Sequence, residues 1–192
     1  MSGFKGYPPS VQILTPVPDI FVAVNSDKGD IRDNIKHNIS LEICLVTGGP
    51  SLKDTTALLK EKSESGTPIV TVNGTYKYCI DNGIKPSAFI MLDSREFNKR
   101  FIESTIDSCK YLIASQCHPE VFKLLKENNT WLWHCDTQDE NIDLLRDQYG
   151  EEYKDFFPIM GGSTVTLRAL HLLRLLGFHK FEIFGFDSCI MD

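Results

Sequence analysis

Two glycine-led segments could bind phosphate, because each precedes a predicted helix. They are Gly48-Gly49-Pro50-Ser51 and Gly161-Gly162-Ser163-Thr164. Glycine lets the backbone approach a ligand without a Cβ atom in the way. The start of a helix presents free N–H groups and the positive end of its dipole, and Ser or Thr can cap the helix or donate to an oxygen. Together they predict two loops that hold a diphosphate or nucleotide, and the alternative for each is an ordinary strand-to-helix turn with its N-cap.

Polar residues also follow three other predicted strands. Asp93 and Asp187 are carboxylates of the kind that hold Mg²⁺ together with phosphate oxygens, so both are predicted metal ligands. Without a metal, Asp93 would serve as a catalytic general base. Asn73 carries a donor and an acceptor for a base or a sugar. A helix cap and a strand-end turn are the structural alternatives.

Two basic side chains complete the predicted site. His118, directly before Pro119, is a candidate catalytic acid or phosphate donor, and Arg95 is a candidate phosphate partner. A cap-region histidine and a solvated arginine are the alternatives. The pattern excludes a nicotinamide-binding loop, because the third glycine is missing and Asn73 stands where an acid would bind the ribose. It also excludes a Walker loop, since no Gly-Lys-Ser/Thr follows.

Composition limits the classes of function. The chain has 192 residues, 42% of them hydrophobic and 24% charged, as expected for one globular domain. A net charge of −6 argues against a protein that binds nucleic acid through phosphate contacts. The sequence contains no apolar run long enough to predict a membrane span. Six cysteines without a Cys-x-x-Cys pair favour a reducing cytoplasm over a disulfide framework.

The elements that must position these residues alternate regularly from residue 41 onward. Strands are predicted at 41–47, 68–73, 88–93, 110–115, 131–135 and 181–186, and helices at 52–63, 74–82, 95–107, 119–128, 139–149 and 163–176. This alternation predicts a Rossmann-like, doubly wound α/β fold: a mostly parallel sheet of about six strands with helices on both faces. Ligands of such sheets bind beyond the carboxyl ends of the strands, where the candidate residues lie.

Residues 1–40 are predicted to be an irregular lead-in to the α/β domain, which spans residues 41–192. Residues 1–18 carry four of the nine prolines, which favours irregular structure. A short strand at 20–24 and a surface helix at 27–38 are possible within the lead-in.

Several sequence blocks resemble one family, that of the 6-hydroxymethylpterin diphosphokinase MptE-like proteins. The blocks are Thr47-Gly-Gly-Pro-Ser-Leu52, Val70-Thr-Val-Asn73-Gly-Thr75, the segment 83–93 that ends in Asp93, the segment 161–170, and Phe184-Gly-Phe-Asp187. The family is in turn distantly similar to bacterial lipooligosaccharide sialyltransferases. The resemblance implies a Rossmann-like, nucleotide-dependent transferase.

The resemblance also implies roles for particular residues. Gly49, Pro50, Ser51 and Asn73 match positions that hold a cytidine nucleotide sugar in the sialyltransferases. Asp93 agrees instead with the pterin-kinase-like branch, and the sialyltransferases' catalytic histidine has no match here. Because similar proteins continue with polar, histidine-containing sequence, we expect the chain to be incomplete at its C-terminus.

Three functions agree with the sequence. The first is Mg²⁺-assisted phosphoryl or diphosphoryl transfer, with the phosphates held by the two glycine-led loops. The second is glycosyl transfer from a nucleotide sugar, with little need for metal. The third is a non-catalytic binding or assembly protein on the same fold.

Overall fold

A parallel β-sheet forms the centre of the protein. The computed structural model describes residues 17–24, 28–35, 39–126, 129–135, 147 and 158–187. The strands are β1 (Gly29–Asp30), β2 (Ile39–Val46), β3 (Ile69–Val72), β4 (Ala88–Met91), β5 (Lys110–Ala114), β6 (Thr130–Cys135), β7 (Pro158–Ile159) and β8 (Phe178–Phe184). The helices are α1 (Val17–Val24), α2 (Thr56–Glu64), α3 (Thr75–Asp81), α4 (Pro119–Phe122) and α5 (Val165–Leu175). Short 3₁₀ helices cover Ile31–Asn34, Pro50–Leu52 and Glu96–Ile102.

The order of the strands places the ends of β2 and β8 side by side. The order is β1-β6-β5-β4-β3-β2-β8, with β7 paired to β6, and every ladder is parallel. The chain therefore moves step by step from β2 to β6 and later places β8 on the other side of β2. At such a switch point the connections leave two neighbouring strands in opposite directions.

Strand β2 shows why helices cover both faces of the sheet. Its last four residues are fully buried, and successive side chains point to opposite faces. Ile43 and Leu45 belong to the apolar cluster that includes the buried face of α5, whereas Cys44 and Val46 join Leu59 of α2 and residues of α3. Burial on both faces explains the continuous apolar run. The predicted doubly wound α/β fold is confirmed, with two more short strands than expected.

The N-terminal strand predicted at 20–24 was wrong, because these residues belong to helix α1. Ile20 and Ala23 are buried while Val22 is 68% exposed, which is the spacing of a helix. A short apolar run does not distinguish a helix from a strand by itself. The two-residue strands β1 and β7 were not predicted, since two residues carry no periodic signal.

Two predicted helices are shorter than expected. The helix predicted at 95–107 is a 3₁₀ helix over Glu96–Ile102, and the Ile106 N–H donates to the Tyr111 hydroxyl at 2.7 Å rather than to a helix carbonyl. The helix predicted at 119–128 is the single turn α4. Beyond it, the Lys28 and Thr130 side chains donate to the carbonyls of residues 125 and 126. The helix predicted at 139–149 lies outside the described residues apart from residue 147.

No helix in the described part of the chain has both the length and the apolar character needed to cross a bilayer.

Candidate functional site

A cleft of about 590 Å³ opens at the carboxyl ends of β2 and β3. Three segments form its walls: the loop after β2, the loop after β3 with the start of α3, and the first turn of α5. The lining residues are Gly48, Gly49, Pro50, Leu52, Lys53, Val72, Asn73, Gly74, Thr75, Tyr78, Val165 and Thr166. Lys53 is the one charged residue among these described lining residues. The cleft therefore combines apolar walls with a few polar groups, as small-molecule sites do.

The glycines of the loop after β2 allow that loop to pack against the loop after β8. The Gly49 N–H donates to the Gly185 carbonyl at 2.7 Å. A Cβ atom on Gly49 would lie 2.4 Å from both that carbonyl oxygen and Asp187 Oδ2. Gly185 has a left-handed φ of 66°, and its Cβ would lie 2.3 Å from the Thr47 carbonyl oxygen. The close approach of the two backbones thus explains why positions 49 and 185 are glycine.

Asp187 occupies the start of the 3₁₀ helix that follows β2. Its Oδ2 accepts from the Ser51 N–H and its Oδ1 from the Ser51 hydroxyl, both at 2.8 Å. This carboxylate takes the position at which an N-cap or an anion would lie. Asp187 was predicted as a metal ligand. In the structure it follows β8 and contacts Ser51 of the loop after β2, and it is not among the lining residues of the cleft.

Few backbone donors of the predicted phosphate loop remain open in this conformation. The N–H groups of residues 49, 51, 52 and 53 all donate within the protein, and Pro50 has no N–H. The Gly48 N–H has no partner among the described residues. A Cβ on Gly48 would meet only Thr75 Cγ2, at 3.9 Å, so this residue faces open space in the cleft.

Asn73, at the end of β3, has a left-handed backbone and an incompletely hydrogen-bonded side chain. Its φ is 47°, in a region that most non-glycine residues avoid and that asparagine tolerates better than most. Its Oδ1 atom is buried and accepts no hydrogen bond from the described residues. An unpaired buried acceptor costs free energy, and backbone strain commonly marks functional positions. Both observations fall on a residue that lines the cleft, which makes Asn73 a candidate contact for a ligand if its side chain turns from the buried position toward the cleft.

Asp93 and Arg95 form an ion pair beyond the end of β4. The Arg95 guanidinium donates to both carboxylate oxygens, and the Arg95 N–H donates to Oδ1 at 3.0 Å. Burial acts to raise the pKa of Asp93, but the hydrogen bonds and charge of Arg95 outweigh it and hold the pKa below its usual value. Asp93 is therefore ionised at neutral pH and is a weak base. This favours electrostatic or ligand-orienting roles over proton abstraction.

The buried amide of Asn98 lies in the same region as Asp93. Asn98 is 2% exposed, and its approach also lowers the pKa of Asp93. Its Nδ2 atom is buried without a partner in hydrogen-bond geometry among the described residues. This residue had no distinguishing signal in the sequence.

His118 precedes α4 and caps that helix. Its Nδ1 atom accepts from the Glu120 N–H at 3.3 Å, and Pro119 occupies the first helical position. With Nδ1 as the acceptor, the neutral ring carries its proton on Nε2, so it could donate to a ligand oxygen. The pKa of Glu96, in the segment that follows Asp93, is lowered chiefly by Lys99 and to a smaller degree by His118, so His118 lies near that segment. His118 and Asp93 thus occupy neighbouring loops outside the lining of the cleft.

The second glycine-led segment positions the start of α5. Thr164 is the N-cap, with Oγ1 accepting from the Leu167 N–H at 3.3 Å. A Cβ on Gly162 would lie 2.8 Å from Leu167 Cβ, so glycine allows the segment to pack on the first turn. The buried Arg168 guanidinium donates to the Gly162 carbonyl and ties the segment to α5. Gly161 and Ser163 lie in the same segment outside the lining of the cleft, and the next residues, Val165 and Thr166, line it.

The acidic candidates do not build a metal site among the described residues. No group of three or more His, Cys, Asp or Glu side chains in this part of the chain lies close enough to hold an ion. Both oxygens of Asp93 accept from Arg95, and both of Asp187 accept from Ser51. The described carboxylates therefore do not form a metal cluster by themselves in this conformation, and a magnesium ion held jointly with ligand phosphates stays a prediction.

The structure sorts the predicted site residues into separate groups. Gly48, Gly49, Pro50 and Asn73 line the cleft. Asp93, Arg95 and His118 lie on the loops after β4 and β5. These two strands come next to β3 in the sheet, so their loops lie to one side of the cleft. Ser51 and Asp187 form their own pair. Lys53, Thr75 and Tyr78 also line the cleft and were missed, because no spacing distinguishes them from surface and core residues.

Comparisons with known proteins agree with this fold. A family model described as 6-hydroxymethylpterin diphosphokinase MptE-like matches residues 17–192. A solved structure of the MAf glycosyltransferase from Magnetospirillum magneticum AMB-1 is similar with a TM-score of 0.61 and 15% sequence identity. The similarity covers 93% of this chain and 28% of that one, so the chain spans less than a third of that protein. No curated protein gives a significant sequence match.

Proposed function

The chain belongs to the 6-hydroxymethylpterin diphosphokinase MptE-like family, and from this premise we propose that it is a nucleotide-dependent transferase. The nucleotide would lie in the cleft at the ends of β2 and β3. Asn73 carries the proposal, because it lines the cleft in a left-handed conformation with a buried acceptor that finds no donor among the described residues. Family membership supports the transferase class.

The chemistry of the cleft supports a nucleotide as its ligand. Its volume, about 590 Å³, lies within the range of small-molecule sites. Leu52, Val72 and Val165 offer apolar contacts to a base. A ribose hydroxyl or a base amino group would donate to Asn73 Oδ1 once the side chain turns from its buried position toward the cleft, and this contact would relieve its unpaired state.

We assign the transfer step, as a proposal, to phosphoryl or diphosphoryl transfer with the acceptor beside Asp93. The lowered pKa of Asp93 keeps it ionised, so it would orient a donor group of the acceptor. His118 would donate from Nε2 to a phosphate oxygen, since Nδ1 is used by the Glu120 N–H. Magnesium binding by Asp93 or Asp187 stays a prediction, and it requires these carboxylates to exchange their present partners.

Glycosyl transfer from a nucleotide sugar is the second candidate. The observation that favours it is the absence of any carboxylate among the described lining residues of the cleft. Such a cleft would bind a nucleotide without a bridging metal. The MAf structure bears the name glycosyltransferase, and at 15% identity its similarity supports the fold alone.

A binding panel tests the proposal and separates the two candidates. Thermal shift and calorimetry would be measured with ATP, GTP, CTP, CMP and UDP, each with and without Mg²⁺. A metal-dependent response to a triphosphate supports diphosphoryl transfer, and a metal-independent response to CMP or UDP supports glycosyl transfer. No binding of any of them would contradict the proposed function and favour a non-catalytic protein.

The Asp93→Asn variant tests the metal prediction. If Asp93 holds Mg²⁺ with the phosphates, the substitution weakens nucleotide binding chiefly when Mg²⁺ is present. The measurement is calorimetry of the bound nucleotide with Mg²⁺ and with a chelator. An equal loss under both conditions would rule out the metal role.

A further inference from the structure

We propose that Lys53 binds the phosphate of the ligand, on the side of the cleft formed by the loop after β2. The inference rests on the proposed function, because it assumes a nucleotide in the cleft. It differs from the sequence prediction, in which the backbone N–H groups of the glycine-led loop hold the phosphate. Nothing in the sequence singled out Lys53.

The charges of the cleft point to Lys53. Among the twelve lining residues, all of which the structure describes, it is the one that carries a charge. Its ammonium group forms no ion pair and donates no hydrogen bond within the described part of the chain. The whole chain carries a net charge of −6. An unpaired cation in a cleft without acids favours an anionic ligand group there.

The backbone of Lys53 is fixed although its side chain is exposed. Its N–H donates to the carbonyls of Pro50 and Ser51, and its φ of −62° and ψ of −37° are helical. The preceding Leu52 is 4% exposed and anchors the turn in the core. A flexible side chain on a fixed Cα brings a point charge to a phosphate without demanding one geometry.

The competing position for a phosphate is already filled. The Ser51 N–H and hydroxyl donate to Asp187, so an anion at the start of this 3₁₀ helix would have to displace a carboxylate. Two negative groups in one place would repel each other. Gly48 lies in the same loop as Lys53 and lines the cleft, and its N–H has no partner among the described residues, so it would supply a second donor. The ligand would then direct one of its phosphates to the β2 loop and its hydroxyl or amino donor to Asn73.

Calorimetry of the Lys53→Gln variant tests this assignment. The probes are CMP and ATP, each compared with its free nucleoside, cytidine or adenosine. Loss of a charge-assisted contact should weaken nucleotide binding about tenfold and leave nucleoside binding unchanged. The Lys60→Gln variant is the matched control, because Lys60 is exposed on α2, outside the cleft, and the change in charge is the same. Lys53→Arg should retain nucleotide affinity.

The outcomes separate this inference from the function on which it rests. Wild-type binding of a nucleotide that is unaltered in Lys53→Gln would overturn the role of Lys53 and leave the proposed function standing. An equal loss for nucleotide and nucleoside would also overturn it, because it would show a structural effect. Failure of the wild-type chain to bind any nucleotide of the binding panel would contradict both proposals.

Discussion

The loop after β2 and the loop after β3 border the same cleft, but they differ in how many of their hydrogen-bonding groups have partners within the protein. In the first, the N–H groups of residues 49 and 51–53 all have partners, and Asp187 fills the helix start. In the second, Asn73 has a left-handed backbone and an unpaired buried oxygen. The glycine-rich loop has the sequence pattern of a ligand site, whereas the loop after β3 holds the residue with an unpaired polar atom.

The difference shows that glycine serves two distinct purposes in one loop. At Gly49 the missing side chain makes room for the protein's own Gly185 and Asp187. At Gly48 the missing side chain leaves open space in the cleft. Sequence patterns alone do not distinguish these purposes, since both place glycine at the end of a buried strand.

The largest effect is expected for Gly49→Ala. The added Cβ would lie 2.4 Å from a backbone oxygen and from Asp187 Oδ2, so two strand ends must separate. We expect the free energy of unfolding to fall by about 3 kcal/mol, as for severe overpacking. Urea denaturation measures the change. A loss below about 1 kcal/mol would show that the two loops are not closely packed in solution.

Asn73→Gly should weaken ligand binding without loss of stability. Glycine adopts the left-handed conformation readily, so the unfolding free energy should stay within about 1 kcal/mol of wild type. Affinity for the nucleotide identified by the binding panel should fall about tenfold, because one hydrogen bond to a buried acceptor is lost. Calorimetry and denaturation are measured on the same sample. Unchanged affinity would remove the distinction drawn between the two loops.

Asp187→Ala tests whether the loop after β2 is capped by the protein itself. Removal of the carboxylate leaves the Ser51 N–H and hydroxyl without their acceptor, so stability should fall by about 1 kcal/mol, as for loss of an N-cap. The double variant with Ser51→Ala should lose less than the sum of the single changes, since the two residues share these contacts. Additive effects in denaturation would argue against the pair.

The smallest effect on stability is expected for Gly48→Ala, which is the matched control for Gly49→Ala. A Cβ there meets one atom at 3.9 Å, and the φ of Gly48 is not positive. The unfolded chain loses freedom, so stability should rise by about 0.5 kcal/mol. If urea denaturation instead shows a loss comparable to that of Gly49→Ala, the cleft is not open at this position.

The sequence predicts the fold well because the sheet follows from repeated local patterns. Strands β2 to β6 and β8 all begin within about three residues of their predicted positions, and buried runs such as Ile43–Val46 carry strong signals. The helix at Glu96–Ile102 could not be assigned as 3₁₀, since the spacing of apolar residues does not distinguish a 3₁₀ helix from an α-helix over so short a segment. The local spacing of apolar residues predicts which residues are buried, but it predicts poorly where a helix ends and which type of turn ends it.

The candidate site is predicted less completely, for a physical reason. Gly48 and Asn73 follow buried strands, and that position alone places them at the cleft. Lys53 is a candidate because it lines the cleft, and Asn98 is notable because its buried Nδ2 atom has no partner among the described residues. Both facts depend on which groups are neighbours in the folded protein, and the sequence does not show this. The Asp187–Ser51 pair joins residues 136 positions apart, which only the strand order brings together.

The place of β8 beside β2 has a consequence for the time at which the cleft forms. Strands β2 to β6 pair with neighbours that are close in sequence, whereas the β2–β8 ladder must close a loop of more than a hundred residues. During synthesis, β2 therefore cannot complete its pairing until β8 has been made, and only then can Asp187 bind Ser51. Contacts of such long range slow folding. Ligand affinity would accordingly appear late, and it would report that the chain has been built and folded through residue 187.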